Sequence, residues 1–260
     1  MQLLRLRQHS PLERSTIQYS LRLRWATDRK QVQDDRKPHV DLYPAHFQRY
    51  AMKKTILILA ANPQDAARLR LDREVREIQE RLQGSRYRNR FKLEQRWAVQ
   101  PRNVQEAILE VKPQIVHFSG HGEGEAGLVF QDQKGQMKLV SSEALSRLFK
   151  LCADRVECVV LNACYAEAQA NAIVQHISYV IGMRQAIRDD AAIAFSAGFY
   201  TGLGEGLSVE GAFEQGKQEI QAMFSRDGIE RKLVLVSPVE GAIPTVLPDH
   251  LIPILKKKSA

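Results

Sequence analysis

Two side chains in this sequence have the types and the setting for covalent chemistry. The run Ile115-Val116-His117-Phe118-Ser119-Gly120-His121-Gly122 closes an apolar stretch on an imidazole, and Val159-Val160-Leu161-Asn162-Ala163-Cys164 closes another on a thiol. A thiolate attacks carbonyl carbon, and an adjacent imidazole can serve first as base and then as acid. If the two stretches are neighbouring strands, their axes lie about 4.8 Å apart, so residues leaving the same end come within reach of each other. Cys164 also precedes a predicted helix, Ala166 to Ile177, whose positive end would favour thiolate. Spacing alone leaves two readings open: a nucleophile with its partner, or a small packing residue beside an ordinary imidazole. Cys158, inside an apolar strand, and Cys152, at a helix end, read as packing. Cys164 differs because it follows its strand in a polar setting, between Asn162 and Tyr165.

Three other patterns nearby do not carry chemistry. Gly122, Gly124 and Gly127 spell G-x-G-x-x-G after a strand, but the glycines lead into the alternating Leu128-Val129-Phe130-Gln131-Asp132 and not into the helix that a dinucleotide site requires. His117 and His121 are four apart on an extended chain, a separation of about 13 Å, so they cannot share one metal ion. Cys152, Cys158 and Cys164 have neither of the short spacings of zinc ligand pairs. No metal and no cofactor is expected.

The elements that must position the two side chains emerge from the alternation of apolar runs with amphipathic stretches after Thr55, the pattern of a mostly parallel sheet with helices on both faces. Predicted strands are Thr55 to Ala60, Lys92 to Val99, Ile115 to Ser119, Glu157 to Leu161 and Tyr179 to Met183. Helices are predicted at Leu69 to Gln83, Val104 to Val111, Ser142 to Leu151, Ala166 to Ile177, Ala191 to Leu203 and Ser208 to Phe224. Gly127 to Val140 breaks the rhythm and reads as a two-strand excursion. Such sheets place ligands beyond the carboxyl ends of their strands, which is where His121 and Cys164 stand.

Composition narrows the class. The chain has 260 residues, a formal charge of +8 and three cysteines. Residues 1–52 hold ten Lys or Arg against five acids, and Lys256 to Lys258 add three lysines, which leaves residues 53–255 neutral. The excess is therefore read as lying in two tails, and it gives little support to a nucleic-acid partner. The local stretch Arg81, Arg86, Arg88, Arg90, Lys92, Arg96 matches no nucleic-acid-binding motif and reads as a solvated face. Residues 1–51 read as a basic, weakly structured extension, and 52–260 as the folded domain, with Met52 as the expected native start. No apolar run is long enough for a membrane span, the opening residues do not form a signal peptide, and three cysteines make no disulfide framework. A reduced, cytoplasmic protein is expected.

With these motifs in place, the sequence resembles the CHAT family of caspase-like proteins, a branch of the caspase, metacaspase and separase group of cysteine peptidases. The likeness rests on His117-Phe118-Ser119-Gly120-His121-Gly122, Leu161-Asn162-Ala163-Cys164-Tyr165-Ala166-Glu167, Val180-Ile181-Gly182-Met183, Asp190-Ala191-Ala192-Ile193-Ala194-Phe195, Gly198-Phe199-Tyr200 and Ser208-Val209-Glu210-Gly211-Ala212-Phe213. It covers residues 53–257.

The resemblance implies an α/β caspase-hemoglobinase fold, with a mostly parallel central sheet flanked by helices on both faces. It implies a cysteine endopeptidase with His121 as acid–base partner, Cys164 as nucleophile, and the backbone N–H groups of Gly122 and Cys164 as oxyanion donors. Some relatives carry Asp two residues before the Cys, where this chain has Asn162, so specificity stays open. Asp189, Asp190 and Asn162 are the candidate pocket residues, and an N-cap role is the competing reading for at least one of the aspartates. Protein or peptide is the implied substrate, and an activating partner in trans or oligomerisation would relieve latency. The alternative is a non-catalytic interaction module on the same fold.

Overall fold

The computed structural model describes residues 53–226 and 247–259. The extension of residues 1–51, the boundary expected at residue 52 and the Met52 start lie outside the described residues.

Strand β1 (Lys54–Ala60) is apolar on both faces, as a central strand must be when helices cover both sides. Its Ile56 and Ile58 enter one core cluster, and Leu57 and Leu59 the other. Helix α1 (Leu71–Gly84) turns Leu71, Val75, Ile78 and Leu82 inward at helical spacing, and Glu74 is buried on that same stripe. The order continues with β2 (Phe91–Trp97), α2 (Pro101–Val111), β3 (Ile115–Ser119), the hairpin β4 (Leu128–Gln131) and β5 (Met137–Val140), and α3 (Ser142–Lys150). Then come β6 (Cys158–Asn162), α4 (Glu167–Ile173), β7 (Tyr179–Met183), α5 (Asp189–Gly204), α6 (Val209–Arg226) and β8 (Pro253–Lys257).

The sheet order is β2-β1-β3-β6-β7-β8. All pairings are parallel except the last, in which β8 runs antiparallel to β7. Residues of α1, α5 and α6 form the core on one face, and those of α2, α3, α4 and the hairpin form it on the other. Apolar on almost every side, α5 is enclosed between the sheet and its neighbouring helices. Gly198 lets α6 approach it closely, because a Cβ there would stand 2.7 Å from the Gln215 carbonyl oxygen.

Three local expectations change. The second strand stops at Trp97 because Ala98 takes a left-handed backbone (φ 52°). The helix expected at Ala166 to Ile177 is the two-turn α4, since the chain turns at His176 and Ile177 onto the Ile173 carbonyl and runs into β7. The carboxyl-terminal lysines are not a loose tail: Lys256 and Lys257 belong to β8 and pair with Glu167 and Glu210, and the Lys258 backbone N–H bonds the Ser178 carbonyl. In the basic stretch, Arg81, Lys92 and Arg96 pair with acids, while Arg86 and Arg90 lie over Tyr87. Among the described residues, no helix is long and apolar enough to cross a membrane.

Candidate active site

β3 and β6 are neighbours, with Ser119 opposite Asn162 at their carboxyl ends. His121 and Cys164 each lie two residues past that pair. The strand exits stay in contact beyond the ladder, where the Gly120 N–H reaches the Asn162 carbonyl at 3.4 Å. A Cβ at position 122 would overlap the Cys164 carbonyl oxygen, so only glycine lets the two backbones meet there. The turn after His121 bridges to Leu128, with the Val129 N–H donating to the His121 carbonyl. Among the described residues, neither the Gly122 nor the Cys164 N–H donates to a protein acceptor.

The His121 ring, partly exposed, donates Nε2–H to the Ala67 carbonyl at 2.7 Å. A carbonyl only accepts, so this bond fixes the tautomer and leaves Nδ1 as the basic nitrogen of the neutral ring. Cys164 is partly exposed, with its Sγ 3.8 Å from the Ile187 carbonyl. Tyr165 comes next in a left-handed conformation (φ 53°), and its N–H meets the Gln185 carbonyl. The segment after β7 therefore lies against the thiol. α4 starts only at Glu167, which leaves Cys164 outside its first turn and removes the helix-dipole argument for a thiolate.

The other cysteines are set apart by burial. Desolvation pushes the Cys158 thiol far up, with the Glu157 charge adding to it. The same cause, reinforced by Asp154, takes Cys152 to about 11.

Beneath the strand ends lies a polar cluster that sequence reading misses. Glu74 Oε1 accepts from His117 Nε2 at 3.0 Å, Asn162 Nδ2 at 2.6 Å and Ser196 Oγ at 2.7 Å, while Ser119 Oγ donates to Oε2. His117 Nδ1 lies 3.1 Å from the Tyr200 hydroxyl. Burial would raise the Glu74 pKa. The His117 hydrogen bond and charge, with Ser119 and Asn162, outweigh it and hold the carboxyl below the usual glutamate range. Burial pushes the Tyr200 hydroxyl well up. The one signal in the sequence is a carboxylate inside the apolar stripe of a predicted helix.

The pocket candidates separate. Asn162 is 5% exposed and turns its amide inward to Glu74, Ser196 and the Ala192 carbonyl. Asp189 and Asp190 occupy the first turn of α5, whose N-cap is Arg188. Asp189 pairs with Arg70 at 2.7 Å, and Asp190 takes both Nε and Nη2 of Arg188.

Comparison with known proteins bears on this arrangement. The CHAT domain profile matches residues 2–227. A "Probable protease" of Gillisia limnaea is 26% identical over 155 residues, covering 59% of this chain and 27% of that protein. A "Roc-COR-CHAT protease" from an unknown prokaryotic organism is 27% identical over 99 residues, covering 36% of this chain and 9% of that one. The matches thus span about a quarter and about a tenth of those relatives. Among solved structures, a secreted C11 cysteine protease from Bacteroides thetaiotaomicron, in complex with an irreversible peptide inhibitor, superposes with a TM-score of 0.52 at 15% identity. That superposition covers 71% of this chain and 62% of the other. The fold is caspase-like, as the sequence implied.

Proposed function

The chain belongs to the CHAT domain family, and from that premise we propose that it is a cysteine endopeptidase with Cys164 as nucleophile and His121 as acid–base partner. The observation that carries this reading is the contact of the two strand exits at Gly122 and Cys164, beside an imidazole oriented by the Ala67 carbonyl.

His121 Nδ1 takes the thiol proton, and the Cys164 sulfur forms a bond to the peptide carbonyl carbon. The oxygen that becomes negative is met by the N–H groups of Gly122 and Cys164, both without protein acceptors among the described residues. Collapse of the tetrahedral species breaks the C–N bond as the imidazolium protonates the departing amine. His121 then activates water, which releases the acid and restores the thiol.

The segment after β7 supports latency. Its Ile187 carbonyl lies 3.8 Å from the thiol and its Gln185 carbonyl accepts the Tyr165 N–H, so a shift of this segment would free the thiol and the turn that carries it. A partner acting in trans or oligomerisation would supply the shift. For a protein or peptide substrate, a basic side chain would replace Arg70 at Asp189.

The test treats wild type and Cys164→Ala with a peptide-based thiol probe and peptide libraries, with and without host extract. Labelling at Cys164 with cleavage that the variant lacks is the expected result. Identical behaviour of both proteins overturns the reading in favour of an interaction module.

A further inference from the structure

The hairpin β4–β5 interrupts the α/β alternation, and the proposed chemistry gives it no task. Its Val129 N–H holds the His121 backbone carbonyl, and its other bonds reach the segment of residues 61–70, between β1 and α1, which meets the His121 ring. The Gln64 N–H donates to the Gly135 carbonyl at 2.9 Å, and the Met137 N–H donates to Asp65 Oδ1 at 2.9 Å. Gln131 Nε2 donates to the Asn62 carbonyl at 3.2 Å. Inside the segment, the Asn62 side chain closes the loop on itself, donating from Nδ2 to the Leu69 carbonyl at 3.3 Å and accepting the Leu69 N–H on Oδ1 at 3.4 Å. The Ala67 carbonyl between these clamps is the acceptor for His121 Nε2.

A ten-residue connection without helix or strand has many conformations to lose, and a hydrogen bond from its middle fixes an imidazole only if the connection itself is fixed. Here it is held on both sides, by its own asparagine and by the hairpin. We propose that Asn62 and Asp65 are positioning residues for His121, and that the hairpin is the strut through which they act. The inference rests on the reading of His121 as the acid–base partner. It adds that the orientation of the ring is set by groups outside the dyad. Loss of the Asp65 clamp alone would change reactivity at Cys164 without altering either residue of the dyad.

The experiment compares the full chain with Asp65→Ala, Asp65→Asn and Asn62→Ala. Asp65→Asn keeps the Oδ1 acceptor for the Met137 N–H, so it is the conservative control. Three quantities are read: the His121 tautomer by ¹³C and ¹⁵N imidazole shifts, the pH profile of iodoacetamide alkylation at Cys164 by peptide mass spectrometry, and the thermal midpoint. Wild type and Asp65→Asn are expected to show the Nε2–H tautomer. Asp65→Ala and Asn62→Ala are expected to show mixed tautomers and alkylation slower at neutral pH by roughly ten- to a hundredfold, with cooperative melting retained. A wild-type tautomer in both alanine variants overturns the proposal. If Asn62→Ala does not fold, the Asp65 pair decides alone. Failure of the peptidase reading has a different mark, alkylation of wild type that His121→Ala leaves unchanged, and the tautomer still decides the positioning claim.

Discussion

His117 and His121 lie four residues apart on one path out of the sheet, yet they occupy opposite regimes. His117 is fully buried, and each of its ring nitrogens has a protein partner, Glu74 on one side and Tyr200 on the other. His121 is partly exposed and, among the described residues, is held at one nitrogen only. Cys158 and Cys164 repeat the division on the adjacent strand, one enclosed with a strongly raised pKa and the other outside the ladder. Inside the strands, His117, Ser119 and the Asn162 Nδ2 group bond to Glu74 and hold the elements together, while Asn162 Oδ1 has no partner among the described residues. Past the strand ends, the same chemical types, His121 and Cys164, stay partly exposed.

The largest effect should come from the reactive side of that division. Cys164→Ala is expected to reduce turnover of a cleaved peptide by on the order of 10⁴-fold with an unchanged melting curve, and a fluorogenic assay beside calorimetry checks both. Retained turnover would erase the distinction between the two cysteines.

On the structural side, Glu74→Ala leaves the buried His117, Ser119, Asn162 and Ser196 donors without their acceptor. Its expected cost is about 3–5 kcal/mol in urea denaturation. Because the folded-state pKa of Glu74 is depressed, its contribution is present above the ordinary glutamate pKa and fades as pH falls through the lower folded value. Wild type should therefore lose stability on acidification below about pH 4.5, and Glu74→Gln should lack that component of the slope.

Gly122→Ala tests the contact between the exits and is expected to cost about 1–3 kcal/mol from the forced shift of the Cys164 turn, with a larger proportional loss of Cys164 labelling. The smallest effect is Cys158→Ala, about 1 kcal/mol with labelling unchanged. A fall in labelling as large as that of Gly122→Ala would show that the interior and the exits are not separate.

Sequence alone reads best where structure is local or where burial is two-sided. Ile115 to Ser119 and Tyr179 to Met183 are legible as strands because a central parallel strand needs apolar residues on both faces. The exits that carry His121 and Cys164 become neighbours through the pairing of β3 with β6. β8 is not legible: Pro253–Lys257 is short, carries two lysines and is a strand only through its pairing with β7. The Glu74 cluster is hidden for the same reason, since its partners lie 43, 45, 88 and 122 residues away in sequence. A helical stripe shows that a carboxylate is turned inward, but not which donors will meet it. The aspartates at 189 and 190 read in sequence as pocket candidates, with a cap role competing for at least one, and only the fold shows that Arg188 takes the cap position and that each carboxylate is paired with an arginine.

The backbone at Tyr165 sets two selective pressures against each other. A half-exposed, bulky residue at φ 53° sits in a region that glycine occupies freely and most side chains do not, immediately after the candidate nucleophile. Selection for thermal robustness alone would favour Tyr165→Gly, whereas selection for turnover would retain the strained turn if it holds Cys164 in register with Gly122. A library at this single position, sorted once for stability and once for peptide cleavage, would then yield two different winners.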